Sequence, residues 1–300
     1  MDPARKASNA HDLPYRGRFA PSPTGPLHLG SLFTALASYL QARAHGGAWL
    51  IRIDDVDCAR SVPGAADAIL TTLERFSLFW DGAAVYQSQR TAHYQSAVER
   101  LSAQGRLYAC TCTRKNLVQW PRYPGLCRGR PNPTAMPHAL RLITEGEVVT
   151  VLDGLQGAYS QDFDREVGDF IVWRSDGIHA YHLATVVDDA EAGITEVVRG
   201  VDLLESTPRQ VLLQRALNFH TPAYLHLPVL VDKAGIKLSK QTGAAPVDLR
   251  KPGELLYSLL PLLGFSPPSE LSDAPADDLV NWAVAGWDQG RLHGKAIEIG

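Results

Sequence analysis

Cys110, Cys112 and Cys127 stand within eighteen residues, among Arg, Pro and Gly and with little hydrophobic periodicity. Thiolates at Cys-x-Cys spacing with a third close by are the donors a tetrahedral structural zinc takes, and no signal peptide is visible to favour a disulfide instead. A fourth donor is needed. Tyr123, four residues before Cys127, and His138 are the candidates, and zinc chemistry alone prefers the imidazole. Cys58 is isolated and needs no role. A second chemical stretch runs from Arg18 to Ser31: Arg-Phe-Ala-Pro-Ser-Pro-Thr-Gly-Pro-Leu-His-Leu-Gly-Ser. It is neither Gly-x-x-x-x-Gly-Lys nor Gly-x-Gly-x-x-Gly. No Asp or Glu occurs between Asp12 and Asp54, so the local field is positive, and the carboxylates of Asp54, Asp55 and Asp57 follow. A polyphosphate beside a cationic group suits that pairing. Far downstream, Lys237-Leu238-Ser239-Lys240 puts two lysines between Gly235 and Gly243, where they could neutralise a leaving pyrophosphate.

The elements that must hold these residues can be read from spacing. Tyr15 to Ala20 reads as a strand, Leu32, Phe33, Leu36, Tyr39 and Leu40 recur as in a helix stopped by Gly46-Gly47, and Ala48 to Ile53 reads as a buried strand. That is a βαβ unit, hence an α/β fold, with the turn at the helix amino terminus, where unpaired N–H groups and the dipole favour an anion. His28 and Ser31 add hydrogen-bonding groups at that mouth, and open α/β sheets bind ligands at such strand ends. Helices are expected over Ala65–Phe79, Arg90–Gln104, from Pro208, over Glu254–Leu263 and over Asp277–Trp287. Asp169–Trp173 and Ile178–Val187 read as two strands around a Ser175-Asp176-Gly177 turn, with Tyr181 and His182 on opposite faces. Glu196–Gly200 reads as a strand bringing Arg199 to a terminus, where it could take a carboxylate bidentately. Leu227–Val231 and Ile236–Leu238 form a further hairpin leading into the lysine loop.

The 300 residues, 45% hydrophobic and 20% charged, are those of a soluble globular protein, with no apolar run long enough for a membrane span; a cytoplasmic monomer is expected. The net charge of −3 excludes a protein coated in positive charge but not a segregated nucleic-acid footprint. Arg100 to Thr144 carries eight Lys or Arg and no acid, and the stretch Glu145 to Glu191 is strongly acidic. A polyanion surface and a basic face neutralised by neighbours in space are equal readings of that pattern.

Together, Arg18–Gly30 and the later Lys237-Leu238-Ser239-Lys240-Gln241 resemble the two signatures of class I aminoacyl-tRNA synthetases, in the glutamate/glutamine branch. Only 59 residues follow Gln241, too few for an anticodon-binding region, so the chain from about Tyr15 to Phe265 is most similar to the truncated members of that branch, which attach glutamate to queuosine in the anticodon of tRNA(Asp). Val85-Tyr86-Gln87-Ser88-Gln89-Arg90 and Val197-Val198-Arg199-Gly200-Val201-Asp202 agree with this.

The resemblance implies a Rossmann-like doubly wound parallel sheet with an inserted zinc-containing subdomain and a short helical C-terminal region. The expected division is a disordered tail (1–14), two halves of the nucleotide-binding domain (15–105 and 169–245) around the insertion (106–168), and a helical tail (246–300). By position it places L-glutamate on Arg18, Phe19, Ala20, Pro21, Ser22, Asp54, Tyr181 and Arg199. ATP with Mg²⁺ falls on His28, Gly30, Ser31 and Lys240; His28, Ser31, Lys237 and Lys240 carry the catalytic role. One structural Zn²⁺ falls on Cys110, Cys112, Tyr123 and Cys127, with tyrosine as fourth ligand. Two departures stand out: Ser31 replaces the second histidine of the class signature, and Asp54 is one methylene shorter than the glutamate of Arg-Ile-Glu-Asp. The other readings are a truncated glutamyl-tRNA synthetase charging a tRNA 3′ end and a non-catalytic RNA-binding relative.

Overall fold

The computed structural model describes residues 14–131, 136–238 and 245–299, so the expected tail lies, apart from Pro14, outside the described residues. β1 (Arg16–Phe19), α1 (Leu29–Ala44) and β2 (Ala48–Ile53) form the βαβ unit that the apolar spacing predicts. The strands run parallel, from Arg16 beside Ala48 to Phe19 beside Ile51. Gly47 permits this start, because a Cβ there would stand 2.5 Å from the Tyr15 carbonyl oxygen. After α2 (Ala65–Arg75), β3 (Val85–Tyr86) joins β2 as a third parallel strand.

α3 (Thr91–Ala103), β4 (Leu107–Cys110), the one-turn α4 (Arg114–Leu117) and β5 (Ala139–Leu142) lead to a hairpin of β6 (Val148–Asp153) and β7 (Gly157–Asp162). β8 (Phe170–Trp173) completes an antiparallel sheet in the order β4-β5-β8. α5 (Tyr181–Glu191), β9 (Glu196–Gly200), α6 (Thr207–Ala216) and β10 (Ala223–Leu227) then return the chain to parallel pairing, and β6 pairs with β10 at Asp153–Tyr224. β11 (Val229–Val231), α7 (Pro252–Leu259), α8 (Ala276–Ala285) and β12 (Ala296–Glu298) finish the described chain. β12, which pairs with β11, was not anticipated from the sequence.

β1 and β9 meet where the Thr195 N–H donates to the Arg16 carbonyl at 2.9 Å. From that junction β2 and β3 continue one way and β10, β6 and β7 the other. This reversal is where open α/β sheets leave a crevice at the strand carboxyl ends. Successive residues of a strand face opposite layers: Val198 joins the core of α1, α7 and α8, whereas Val197 joins that of α3, α5 and α6. The C-terminal helices share this first core with α1 through Leu256, Leu259, Leu279, Val280 and Ala283.

One expectation is overturned. Trp173 still bridges His179 across the Gly177 turn, but Tyr181–Glu191 is a helix rather than the continuation of a strand over Ile178–Val187. The β-branched Thr185, Val186 and Val187 favour a strand, but burying this run against α3 and α6 outweighs that weak preference. Tyr181 and His182 therefore occupy neighbouring angles of a helix end and not two faces of a strand.

Candidate active site

A cavity of about 440 Å³ opens at the β1/β9 reversal. Arg18, Phe19, Ala20, Pro21, Ser22, His28, Gly30, Ser31, Asp54, Tyr181, Arg199 and Lys237 all line it. Every described residue that the sequence singled out for glutamate or ATP is therefore brought together; Lys240 lies outside the described residues.

The nucleotide end is built on the start of α1. His28 caps the helix: its Nδ1 accepts from the Ser31 N–H at 3.3 Å, and the Ser31 hydroxyl lies 2.9 Å from Nε2. No acid occupies the first turn. A Cβ on Gly30 would stand 3.3 Å from the His28 ring and 3.4 Å from the Leu238 carbonyl oxygen, so glycine lets the lysine strand approach the turn. Lys237 Nζ is 2.6 Å from Asp202 Oδ2 at the half-exposed rim.

The amino-acid end is charged and largely dry. Arg52 donates to Asp54 Oδ1 at 2.6 Å and to Asp189 Oδ1 at 2.5 Å, and Arg18 Nε donates to Asp189 Oδ1 at 3.1 Å. Arg90 Nε and the Gln87 amide hold Asp188 at 2.6 and 2.7 Å. Burial pushes the Asp54 carboxyl above its usual range against the pull of Arg52 and Arg18, so an arriving ammonium would favour its ionised form. Asp189 goes the other way: burial would raise it, but Arg18 and Arg52 more than offset this and hold it low.

Arg199 differs from these paired groups. It is 5% exposed, yet no carboxylate among the described residues lies within 4.0 Å of it. Its Nε donates to His226 Nε2 at 3.1 Å and its Nη2 to Thr207 Oγ1 at 2.8 Å, while Nη1 is buried without a partner. A buried cation without a counter-ion calls for an anion, and a guanidinium fork selects a carboxylate. Tyr181 borders the cavity and keeps 37% exposure; the His182 ring packs edge-on to Phe170 with ring centroids 6.0 Å apart.

Away from the cavity, the sulfurs of Cys110, Cys112 and Cys127 lie within 4.8 Å of one another, with Cys112 and Cys127 3.6 Å apart. Tetrahedral zinc with bonds of about 2.3 Å sets sulfurs about 3.8 Å apart, so the cluster fits that ion. Tyr123 Oη is 3.3 Å from Cys110 Sγ and accepts from the Cys127 N–H at 3.0 Å. Burial pushes the Tyr123 phenol upward, so a metal cation would be needed to draw off its proton. His138 is not brought in: the clustered sulfurs have no histidine with them among the described residues, and its ring bonds the Met136 carbonyl. Gly168 backs the cluster, where a Cβ would stand 2.1 Å from the Tyr123 carbonyl oxygen.

The basic segment divides. Arg106 pairs with Glu147, and Arg128 with Glu145 and Asp169, as the neutralised-face reading expects. Arg60, at 75% side-chain exposure, pairs with Asp57 on the surface.

Sequence reasoning missed Arg52, Asp188, Asp189, Asp153 and His226. One signal was available: two adjacent carboxylates inside an apolar run, Leu183 to Val187 then Asp188-Asp189, are tolerated in a core only when paired.

The fold and the crevice define a class. Residues 15–122 and 131–272 match the family "tRNA synthetases class I (E and Q), catalytic domain", and the chain belongs to that family. The glutamate-tRNA synthetase structure from Elizabethkingia anophelis superposes with a TM-score of 0.80 at 26% identity, over 95% of this chain and 68% of that one. More particularly, the chain is 55% identical over 290 residues to the glutamyl-Q tRNA(Asp) synthetase of Methylococcus capsulatus, covering 96% of each. The protein of the same name from Chromobacterium violaceum is 50% identical over 293 residues, 95% of this chain and 97% of that one.

Proposed function

We propose that this chain activates L-glutamate with ATP and transfers it to queuosine in the anticodon of tRNA(Asp). The observation that carries the amino-acid assignment is Arg199, a buried guanidinium with no carboxylate partner among the described residues, lining one cavity with the Asp54 carboxylate. Arg199 and Arg18 take the side-chain carboxylate, and Asp54 takes the ammonium. The α-carboxylate oxygen then forms a bond to the α-phosphorus of ATP in line with the bond to pyrophosphate, which breaks. The His28–Ser31 helix end, Lys237 and, by sequence, Lys240 hold the charge that develops on the phosphates. Mg²⁺ bound with ATP would supply further charge neutralisation. A hydroxyl of the queuosine cyclopentenediol attacks the mixed anhydride, forming an ester and releasing AMP. No protein general base is assigned, since positioning and electrostatics suffice for an already activated acyl group.

The test is transfer of labelled glutamate, with ATP, to tRNA(Asp) with queuosine, tRNA(Asp) without it, and tRNA(Glu). Label on the first alone is expected. Label on tRNA(Glu) would return the chain to synthetases that charge a 3′ end, and no label with no glutamate-dependent ATP–pyrophosphate exchange would leave an RNA binder.

The three thiolates with the Tyr123 phenolate are assigned to one structural zinc, which leaves no open position for a reactive water. With few apolar residues around it, this knuckle depends on the metal for its folding. Freshly purified chain is expected to carry about one equivalent of zinc and to lose several degrees of melting temperature on chelation. Less than about half an equivalent, in protein never exposed to chelator, would remove the assignment.

A further inference from the structure

Arg199 needs something to hold its fork in place, and the structure supplies it from outside the βαβ unit. Asp153 stands at the end of β6, in the hairpin at the outer edge of the sheet, and its strand pairs with β10 at Tyr224. Asp153 Oδ1 accepts from the backbone N–H groups of Leu155 at 3.0 Å, Gln156 at 2.9 Å and His226 at 3.2 Å. Its Oδ2 lies 2.6 Å from His226 Nδ1. His226 Nε2 in turn lies 3.1 Å from Arg199 Nε and 3.1 Å from the Thr207 hydroxyl. Asp153, His226 and Thr207 are buried at 4%, 0% and 0% exposure, so this set is closed off from bulk solvent.

The donor and acceptor rules leave one arrangement. An ionised carboxylate only accepts and a guanidinium only donates. The His226 ring between them must therefore carry its proton on Nδ1 and present a bare Nε2 to Arg199. With Nε held by the ring and Nη2 by Thr207 and the Leu203 carbonyl, the guanidinium plane is fixed and Nη1 is its one nitrogen without a partner among the described residues.

We propose that Asp153 and His226 are positioning residues for glutamate recognition: Asp153 sets the His226 tautomer, and His226 fixes the Arg199 guanidinium so that Nη1 serves the substrate carboxylate. This deepens the proposed function and rests on it. Neither residue reaches the reacting phosphorus, so the effect falls on glutamate binding and not on chemistry or on ATP.

Asp153→Asn is the sharpest test. Its amide oxygen inherits the Leu155 and Gln156 donors of Oδ1, which turns the amide N–H toward His226 Nδ1. That reverses the tautomer and points Nε2–H at Arg199. In glutamate-dependent ATP–pyrophosphate exchange, the KM for glutamate is expected to rise about tenfold or more, with the KM for ATP unchanged and kcat within about threefold. His226→Leu removes the acceptor and is expected to match it, whereas His226→Gln, whose carbonyl reaches toward the Nε2 position, is expected to stay within about threefold of the parent. Melting temperatures confirm which variants fold, and the glutamine–leucine comparison stands if Asp153→Asn does not. Glutamate KM values within about twofold of the parent for both Asp153→Asn and His226→Leu would overturn the role, as would equal effects of Gln and Leu, or parallel rises in both KM values. A parent chain without glutamate-dependent exchange would instead remove the proposed activity, and this role with it.

Discussion

Replacing Arg199 with methionine is expected to lower kcat/KM for glutamate in ATP–pyrophosphate exchange by about two to three orders of magnitude, the cost of removing one partner of a buried charge pair. The loss belongs to the ligand-bound state alone. In the free protein Arg199 already lacks a carboxylate, its neighbours being His226, Thr207 and the Leu203 carbonyl. Removing an uncompensated buried cation is not costly in itself, and an apolar side chain of similar volume often serves as well or better. The free variant should therefore melt within a few degrees of the parent, while the rise in melting temperature that saturating glutamate gives the parent disappears. Arg199→Lys should recover little, because one ammonium cannot take the places of Nε on His226 and Nη2 on Thr207 and still donate to a carboxylate as Nη1 can. An Arg199→Met variant retaining parental kcat/KM and the glutamate-induced stabilisation would place the substrate carboxylate elsewhere.

The parts of this site that the sequence reveals are the ones whose signals are local. The turn from Ala20 to Leu27 announces itself through three prolines and a glycine between two apolar patterns, and α1 ends at Ala44, just before the expected Gly46-Gly47 stop, though it starts at Leu29, a turn ahead of the first periodic residue, Leu32. Glu196–Gly200 was legible as a strand for the same reason, and with it the placing of Arg199 at a strand end. The helix α5 was not. Its cap residue is Ala180, which offers no side-chain acceptor, and its interior is rich in β-branched residues, so both of the usual helix signals are missing. Only packing against α3 and α6 decides it, and packing is not written locally.

The polar partners were illegible for another reason. Arg52 meets Asp189 across 137 positions and Asp153 meets His226 across 73. Nothing in one residue's surroundings in the chain names the other. What composition can say is weaker: an acid in an apolar run needs a partner. The basic segment illustrates the same limit from the opposite side. Arg128 and Arg106 could be read as part of a polyanion surface or as a face neutralised by neighbours, and the acids that neutralise them, Glu145, Glu147 and Asp169, come from loops later in the chain.

Asp189→Asn is expected to cost about 3–5 kcal/mol of stability at neutral pH, because Asp189 is the shared counter-ion of two buried arginines. Arg18 and Arg52 are each about 5% exposed, and Asp189 is equally dry, so neither cation can turn to water when the carboxylate is lost. Arg52 keeps Asp54 at 2.6 Å and has Asp188 at 3.6 Å, which limits the damage on that side; Arg18 has no other carboxylate within 4.0 Å among the described residues. The variant should consequently lose activity as well, through a displaced Arg18 at the cavity wall.

The pH dependence separates this charge effect from a packing defect. The folded-state pKa of Asp189 is depressed below its unfolded value. Its contribution is therefore fully present above the unfolded carboxylate pKa of about 4, and is lost as pH falls through the lower folded value. Melting temperatures measured from pH 7 to pH 3 should show the gap between parent and Asp189→Asn constant down to about pH 4 and closing below it, as the parent's own carboxylate becomes protonated. A gap that persists unchanged to pH 3 would mean that the substitution disturbs packing and not the charge that holds Arg18 and Arg52 at the wall of the site.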